Sequence, residues 1–394
     1  MDHALRLPHR YIRPSRPRSS LYTESRQAER HLRLQGGAAV KPIDRGSVRK
    51  ILIRAVNWIG DAVMTTPAVD TIRANFPQAE ITVLANPAVS PIFSIYDGVD
   101  RVITFDRKGT HKGIMGRLRL AAELRKHRFD LAIMLPNSFD SALVPWLARI
   151  PQRVGKDSDA RGLILTHRFP RCLLRPDTHQ VLNYLTMLEY FGLKPGQARL
   201  RLQTSAAEEG DLQALLASRG IGPNDLVLGV NPGATFGSAK RWYPERFGEA
   251  AKELARRWGA RVVITGGPGE TEMAARIEEY LAGDCANFAG ATSVRQLMNL
   301  IKRCDFFITN DSGPMHIAAA FDVPLVAIFG STDHRTTSAF FDRGVIVRSG
   351  AECAPCMQRE CPTDHHCMTA VTAAEVIEAA DQLYRGLPRG REDR

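Results

Sequence analysis

The sequence predicts an α/β protein of two doubly wound domains, each a parallel sheet with helices on both faces. Three observations carry this. The chain has 394 residues, room for two domains at roughly 100–200 residues each. From residue 50 onward, short β-rich runs alternate with helical patterns, as expected of parallel strands joined by crossover helices. The alternation pauses once, over "RLRLQTSAAEEGDLQALLASRGIGPND" (199–225), and then restarts. This pause places the domain junction near residues 190–205. Two such domains facing each other would leave a central cleft at the carboxyl ends of both sheets, where ligands of doubly wound proteins sit.

In the first domain, "KILIRAV" (50–56) reads as a buried strand and "AVMTTPAVDTIRANFP" (62–77) as one helix ending at Pro77. "EITVLA" (80–85), "RVITF" (101–105) and "DLAIML" (130–135) are strands, and "MGRLRLAAELRKHRF" (115–129) is an amphipathic helix. In the second domain, strands are expected at 226–233, 261–267, 305–311 and 324–332. Helices are expected at 246–259, 271–283, 294–304 and 314–322, with a last helix at 372–385. The organisation expected is a disordered basic extension over 1–48, a first domain over 49–200, a second over 201–371 and a terminal helix and tail over 372–394.

Hydrophobic content of 44% and charged content of 24% are those of an ordinary soluble protein. The net charge of +11 is unevenly placed: residues 1–50 carry +8, residues 51–200 carry +7 and the remainder −4. A basic first half suits an anionic partner. The extension is rich in Arg, Ser and Pro and has no apolar period, which predicts disorder. It has the composition of a transit peptide without the amphipathic repeat, and no secretory apolar region. No run of 18 apolar residues occurs, so no spanning helix is expected. The core shows neither a nucleic-acid recognition motif nor a pattern of stacking aromatics.

Five stretches carry chemistry. In "NWIGDAVMTTP" (57–67) an acid, Asp61, stands between a strand and a helix, where it reads as a helix cap. In "FFITNDSGPMHIAAA" (306–320) a strand ends in Asn310, Asp311, Ser312 and Gly313, with Pro314 suited to the first helical position. Such a turn is either a plain helix cap or an anion site formed by free amides, with His316 in the first turn. "GVNPGATFGSAKRWYPERF" (229–247) is a flexible loop with Thr235 and Lys240, either apt for neutralising a diphosphate leaving group or ending in a plain solvent-exposed Lys240–Arg241 pair. "VVITGGPGETE" (262–272) is a strand and a glycine-rich turn. It matches neither the dinucleotide fingerprint nor a Walker loop, which weighs against a nicotinamide-dependent dehydrogenase. Its Glu270 or Glu272 would serve as a ribose acceptor, unless the turn is only a tight connection. Finally, Cys353, Cys356, Cys361 and Cys367 are spaced C-x2-C-x4-C-x5-C. A structural zinc or iron–sulfur site, free thiols and a redox pair all fit that spacing.

Taken together, "RAVNWIGDAVMTTPAV", "NPGATFGSAKRWYPERF" and "NDSGPMHIAAAFDVPLVAIFGST" resemble the ADP-heptose:lipopolysaccharide heptosyltransferases, glycosyltransferase family nine. "GATFGSAKRW" and the terminal "CAPC…C…HHC" resemble the second-type branch. The resemblance covers about residues 50–385. It implies the GT-B fold, two Rossmann-like domains facing a central cleft, the first binding acceptor and the second binding nucleotide sugar. It also implies an inverting transfer of heptose from ADP-heptose to the inner core of lipopolysaccharide, with no metal or other cofactor needed for the chemistry. In that reading Asp61 is the general base and Lys240 stabilises the diphosphate. Thr235, Asp311, Ser312, Gly313, Pro314 and His316 bind the donor, Met315 belongs to the same turn, and Glu270 is the ribose acid. Arg149, Arg153 and Lys156 are candidate cations for the anionic lipid-linked acceptor. The resemblance further implies a cytoplasmic monomer with peripheral contact at the cytoplasmic face of the inner membrane and no nucleic-acid partner. In such proteins the helix at 372–385 crosses back to the first domain. Another nucleotide sugar or acceptor within the same family is the alternative.

Overall fold

The computed structural model describes residues 11–12, 41–173 and 177–387. These divide into two compact units that meet in sequence at Thr204, each built on one sheet. The first strand, β1 (Tyr11–Ile12), belongs to the second sheet and is taken up with it below.

The first unit holds β2 (Lys50–Arg54), β3 (Glu80–Ala85), β4 (Arg101–Thr104), β5 (Leu131–Met134), β6 (Gln152–Lys156) and β7 (His167–Phe169). They are all parallel, in the order β4-β3-β2-β5-β6-β7. The chain winds outward from β2 in one direction and then restarts at β5 in the other. The switch point therefore lies between the carboxyl ends of β2 and β5. The central strands are buried on both faces, which explains their unbroken apolar runs.

The single helix expected over 62–77 is two helices, Ile59–Met64 and Thr66–Asn75. The cause is Pro67, which has no N–H to give to the carbonyl of Val63. The hydroxyl of Thr66 donates to that carbonyl instead, at 2.8 Å. Residues 41–48 were expected to be disordered, yet they pack on this unit. Ile43 and Val48 are buried, and the Pro42 carbonyl pairs with His167 Nε2 at 3.1 Å. The rest of the expected disordered segment, apart from β1, lies outside the described residues.

The second unit holds β8 (Val227–Asn231), β9 (Arg261–Ile264), β10 (Cys285–Asn287), β11 (Phe306–Asn310), β12 (Leu325–Ile328) and β13 (Gly344–Val347). The order is β1-β13-β12-β11-β8-β9-β10, with β1 antiparallel on the open edge of β13 and every other pair parallel. The switch point here lies between β8 and β11. Its helices carry strong local signals. Pro244–Trp258 starts with Pro at its first turn and ends at Gly259, whose φ of 66° is the left-handed cap conformation. Capping boxes at Ser205/Glu208, Ser293/Gln296 and Thr372/Glu375 start three more.

The helix Ala373–Arg385, expected to cross back to the first domain, packs on the second unit's sheet. It is part of the second unit's core. Tyr384 stacks on Trp258 at 4.2 Å, and Asp381 accepts from the Trp258 indole at 3.1 Å. Trp242 ties this end of the chain to the switch-point loop. It is 1% exposed, packs edge-on against Phe247 and donates from its indole to the Val371 carbonyl at 3.0 Å. Trp242→Ala is expected to lower the unfolding free energy by about 3–5 kcal/mol, read by urea denaturation. A loss under ~1 kcal/mol would show that the loop is held by other contacts.

Candidate active site

At the second switch point, the turn after β11 and the loop after β8 come together. Asn310 is fully buried and works in both directions. Its amide donates to the Pro232 carbonyl at 2.7 Å, and its oxygen accepts the Trp242 backbone N–H at 3.1 Å. Asn231 accepts from Thr265 Oγ1 at 3.1 Å and donates to Ser312 Oγ at 3.3 Å. These two buried amides join β8 to β11 and fix the ends of the 232–242 loop. Both side chains must be polar on two sides, because every backbone group they satisfy would otherwise be orphaned in the core.

Lys240 and Asp311 meet inside this frame. Lys240 Nζ is 2.6 Å from Asp311 Oδ2, with side chains 13% and 4% exposed. Thr332 Oγ1 donates to the same carboxylate oxygen at 2.5 Å. The ammonium also lies 5.0 Å from the centroid of Phe236. The sequence reading assigned Lys240 to the diphosphate and Asp311 to the sugar without seeing that each holds the other.

Ser312 is the N-cap of the helix Gly313–Ala320, but its hydroxyl makes no capping bond. It pairs instead with Thr309 Oγ1 at 3.1 Å and with Asn231. The helix thus starts without a side-chain cap; Pro314 has no N–H and Met315 donates to the Ser312 carbonyl at 3.2 Å, so the Gly313 N–H and the positive dipole end are what the turn offers an anion. Pro314 occupies the second helical position where the first was expected; the second N–H is also unused by the helix, so proline costs nothing there. Met315 and His316 are buried in the following residues. Thr235 is exposed, and its hydroxyl bonds to no described residue.

Glu270 is placed differently from a free ribose ligand. One oxygen accepts the Gly267 N–H at 2.7 Å and closes the 3-10 turn Pro268–Glu270. The carboxylate lies against Gly233, where an added Cβ would stand 2.0 Å from it. Gly233 is therefore a close-approach glycine, and Glu270 forms a wall beside the loop.

The cysteine segment braces the same loop. The Arg359 carbonyl accepts the Ala239 N–H at 3.0 Å, and His365 Nε2 pairs with the Ala239 carbonyl at 3.0 Å. A Cβ on Gly237 would stand 2.1 Å from the Arg359 carbonyl oxygen. Cys353, Cys356, Cys361 and Cys367 are all free thiols. Burial, with the other three sulfurs nearby, pushes Cys367 up to about 11. Hydrogen bonding from Thr363 lowers Cys361. Among the described residues no group of three or more His, Cys, Asp or Glu is arranged to hold a metal.

In the first unit, Asp61 lies in the first turn of the helix Ile59–Met64, at the carboxyl end of β2. The N-cap is Trp58, so Asp61 is not the cap that its position in sequence suggests. Its loop is fixed by Arg54, which is buried and donates to the carbonyls of Ala55 at 2.6 Å and Leu84 at 3.1 Å. Asn86 pins the Asn57 carbonyl from β3's side at 2.9 Å. Burial lowers Arg54 to about 10.

The charge of Asp61 reaches the buried phenol of Tyr184, which burial first and that charge second push up. Above the Tyr184 ring, at 4.9 Å, sits the ammonium of Lys156 at the end of β6. Lys156 is 3% exposed, and burial and then Arg161 lower it to about 8. Among the described residues it has no carboxylate in ion-pair reach. A cation–π contact of about 0.5–2 kcal/mol does not offset removing an ammonium from water, which costs several kcal/mol. Of the other candidate acceptor cations, Arg153 spends its guanidinium on the carbonyls of Ile164 and Ile150, and Arg149 is exposed.

The architecture is that of the GT-B glycosyltransferases, two Rossmann-like units each with polar side chains gathered at the strand ends. Within that class the chain belongs to glycosyltransferase family 9, whose model, "Glycosyltransferase family 9 (heptosyltransferase)", matches residues 117–366. It is 33% identical over 313 residues to lipopolysaccharide heptosyltransferase 2 of Salmonella typhimurium, covering 76% of this chain and 88% of that one. It is 30% identical over 344 residues to lipooligosaccharide heptosyltransferase 2 of Campylobacter jejuni, covering 85% and 98%. Among solved structures, that of E. coli ADP-heptose LPS heptosyltransferase II superimposes with a TM-score of 0.72 at 30% identity, over 85% of this chain and 98% of that one.

Two predictions concern how this site is held. Lys240→Ala and Asp311→Ala are each expected to cost about 3 kcal/mol of stability, because each strands a buried charge, and the double substitution less than their sum. Urea titration of the three variants measures this; additive losses would mean that the pair is not coupled. Gly237→Ala is expected to destabilise by about 1–3 kcal/mol as the added methyl drives the loop off Arg359, and an unchanged melting curve would show that the contact yields freely.

Proposed function

We propose that the protein transfers a heptose from ADP-heptose to the inner core of a lipid A-linked lipopolysaccharide precursor, with inversion at the anomeric carbon. The observation that carries this reading is the Lys240–Asp311 pair beside the uncapped start of the helix Gly313–Ala320. We infer that a diphosphate would lie between this ammonium and the Gly313 N–H at the positive end of the helix. The names of the relatives supply the sugar, the nucleotide and the acceptor class.

The chemistry follows from these residues. The Asp61 carboxylate takes the proton from the acceptor hydroxyl. That oxygen attacks the anomeric carbon from the face opposite the diphosphate, so a single displacement inverts the centre. The bond from the anomeric carbon to the diphosphate oxygen breaks, and its electron pair leaves with ADP. Negative charge growing on ADP is met by Lys240, the Gly313 N–H and the positive end of the helix dipole. This charge stabilisation calls on no metal and is typically the largest catalytic contribution. Asp311 holds Lys240 in place and faces the heptose. Thr235, exposed on the loop, contacts phosphate, Glu270 and Gly233 shape the wall near the ribose, and His316 and Pro314 set the course of the helix start. The first unit, with its excess of positive charge, receives the anionic acceptor.

We place the reaction at the cytoplasmic face of the inner membrane, with the protein a monomer in peripheral contact. Among the described residues no helix is long and apolar enough to cross a membrane. Another nucleotide sugar is the competing reading, so the deciding experiment offers ADP-, UDP- and GDP-sugars in turn and measures nucleoside diphosphate release with and without acceptor. Release from ADP-heptose alone among them, dependent on acceptor, is expected; release from UDP- or GDP-sugars instead would overturn the donor. Asp61→Ala is expected to cut kcat by about 10²–10⁴-fold and Lys240→Ala by about 10²–10³-fold. Equal transfer by Asp61→Ala and wild type would remove the base from Asp61.

A further inference from the structure

The positive charge of the first unit is gathered in one place. Residues 107–128, the loop after β4 and the helix Gly113–His127, hold eight Lys or Arg against the single acid Glu123. That net of +7 equals the whole excess of residues 51–200, so the rest of that stretch is balanced. Some of these cations are committed: Arg107 and Arg117 meet Asp140, and Arg125 donates to the Leu147 carbonyl at 2.6 Å. Lys108, Lys112, Arg119 and Lys126 are exposed and form no ion pair among the described residues.

The same helix shows apolar side chains to solvent. Its inner face is Gly116, Leu120, Ala121 and Leu124. Ile114, Met115 and Leu118 fall off that face and are 78%, 71% and 43% exposed. The Arg117–Asp140 pair and the Arg125 contact join this helix to Phe139–Leu147. There Phe139 and Trp146 are exposed as well, seven residues apart and so on one face. Five of the ten large apolar side chains exposed among the described residues thus stand on two adjoining helices. Single exposed apolar residues are ordinary, whereas a group of them among unpaired cations marks an interaction surface.

We propose that the outer faces of these two helices are the surface by which the protein docks on a membrane containing anionic lipid. Lysine and arginine side chains meet the headgroup phosphates, and Ile114, Met115 and Leu118 enter the boundary with the acyl chains. The inference rests on the reading that the acceptor is lipid-linked, and adds which face of the chain meets the lipid. Aliphatic side chains among cations favour lipid over nucleic acid, whose bases call for stacking aromatics. The topology places the surface usefully. Both helices leave the carboxyl ends of their strands, β4 and β5, which run parallel to β2. Ile114, Met115 and Phe139, in the first turns, therefore stand at the end of the sheet that carries Asp61. An acceptor held in the membrane would be presented at that end.

The test is co-sedimentation of the full chain with phosphatidylcholine vesicles, made with and without phosphatidylglycerol. Wild type is expected to sediment with the mixed vesicles and to be released by high salt. The double substitution Lys108→Gln, Lys112→Gln is expected to weaken vesicle binding about 25-fold, since each basic residue near an anionic surface contributes a factor of about five. The double substitution Ile114→Ser, Met115→Ser is expected to weaken it about 10–100-fold. All four side chains are exposed, so both variants are expected to melt with wild type; if one fails to fold, the other decides. Transfer to acceptor embedded in mixed vesicles is expected to fall in step with binding, while transfer to the same acceptor in neutral detergent micelles stays at the wild-type rate. Vesicle binding of wild-type strength in both variants would overturn the proposal, by placing attachment elsewhere on the chain. So would binding indifferent to phosphatidylglycerol, or wild type that ignores vesicles and binds duplex DNA through the same lysines. Wild type that docks through this face yet transfers nothing would instead remove the proposed reaction and leave the docking surface standing.

Discussion

The Lys240–Asp311 ion pair is the contact around which the second unit's site is arranged. A lysine on a long loop has many places to point, and the carboxylate at the end of β11 selects one. That selection works only because β8 and β11 are neighbours wound in opposite senses, which leaves their loops side by side. Asn231 and Asn310 then spend their amides joining the two loops. The ammonium is held by one acid and one aromatic face, so the diphosphate proposed to bind there would meet a cation already in position. The energy of orienting it was spent in folding, which is how preorganised charge lowers a barrier.

The first unit applies the same topology to a different end. Its acid and its buried lysine stand at the ends of β2 and β6, both acting on Tyr184, and its acid-bearing helix is short because Pro67 breaks it. The Thr66 hydroxyl closes the break by taking the carbonyl that proline cannot reach. A short helix keeps Asp61 in a first turn, close to the end of the sheet, while the chain turns away immediately after it.

Much of this was legible in the sequence, for a definite reason. Strands buried on both faces write themselves as unbroken apolar runs, so β2, β3, β5, β8, β9 and β11 were readable, as were the helices that carry their own capping residues. Strands β6 and β7, "QRVGK" and "HRF", were not, because half their residues are polar and their partners lie far along the chain. The helix Gln180–Tyr190 was passed over for a similar reason, since nearly its whole circumference is buried and it shows no polar stripe. At the site, Asp61, Lys240 and the 311–316 turn stood out by their flanking glycines and strand ends. The partnership of Lys240 with Asp311 did not, because 71 residues separate them and nothing local encodes the meeting. The use of Glu270 as a turn closure was equally hidden, since its partner is a backbone amide that every residue has.

The bracing of the 236–240 loop has a consequence for how the protein comes into being. Ala239 is held by the carbonyl of Arg359 and by His365, and Trp242 by the carbonyl of Val371. These supports belong to the last tenth of the chain, more than a hundred residues after the loop they hold. On the ribosome, the sheet of the second unit can be complete while its lysine loop, already joined to Asn310 and Asp311, still lacks the supports from Arg359, His365 and Val371. A nascent or clipped chain that ends before residue 359 would carry the residues proposed for catalysis without the posture proposed for them. The distal cysteine segment, among the last parts of the chain to be made, therefore completes the bracing of a loop that stands more than a hundred residues before it.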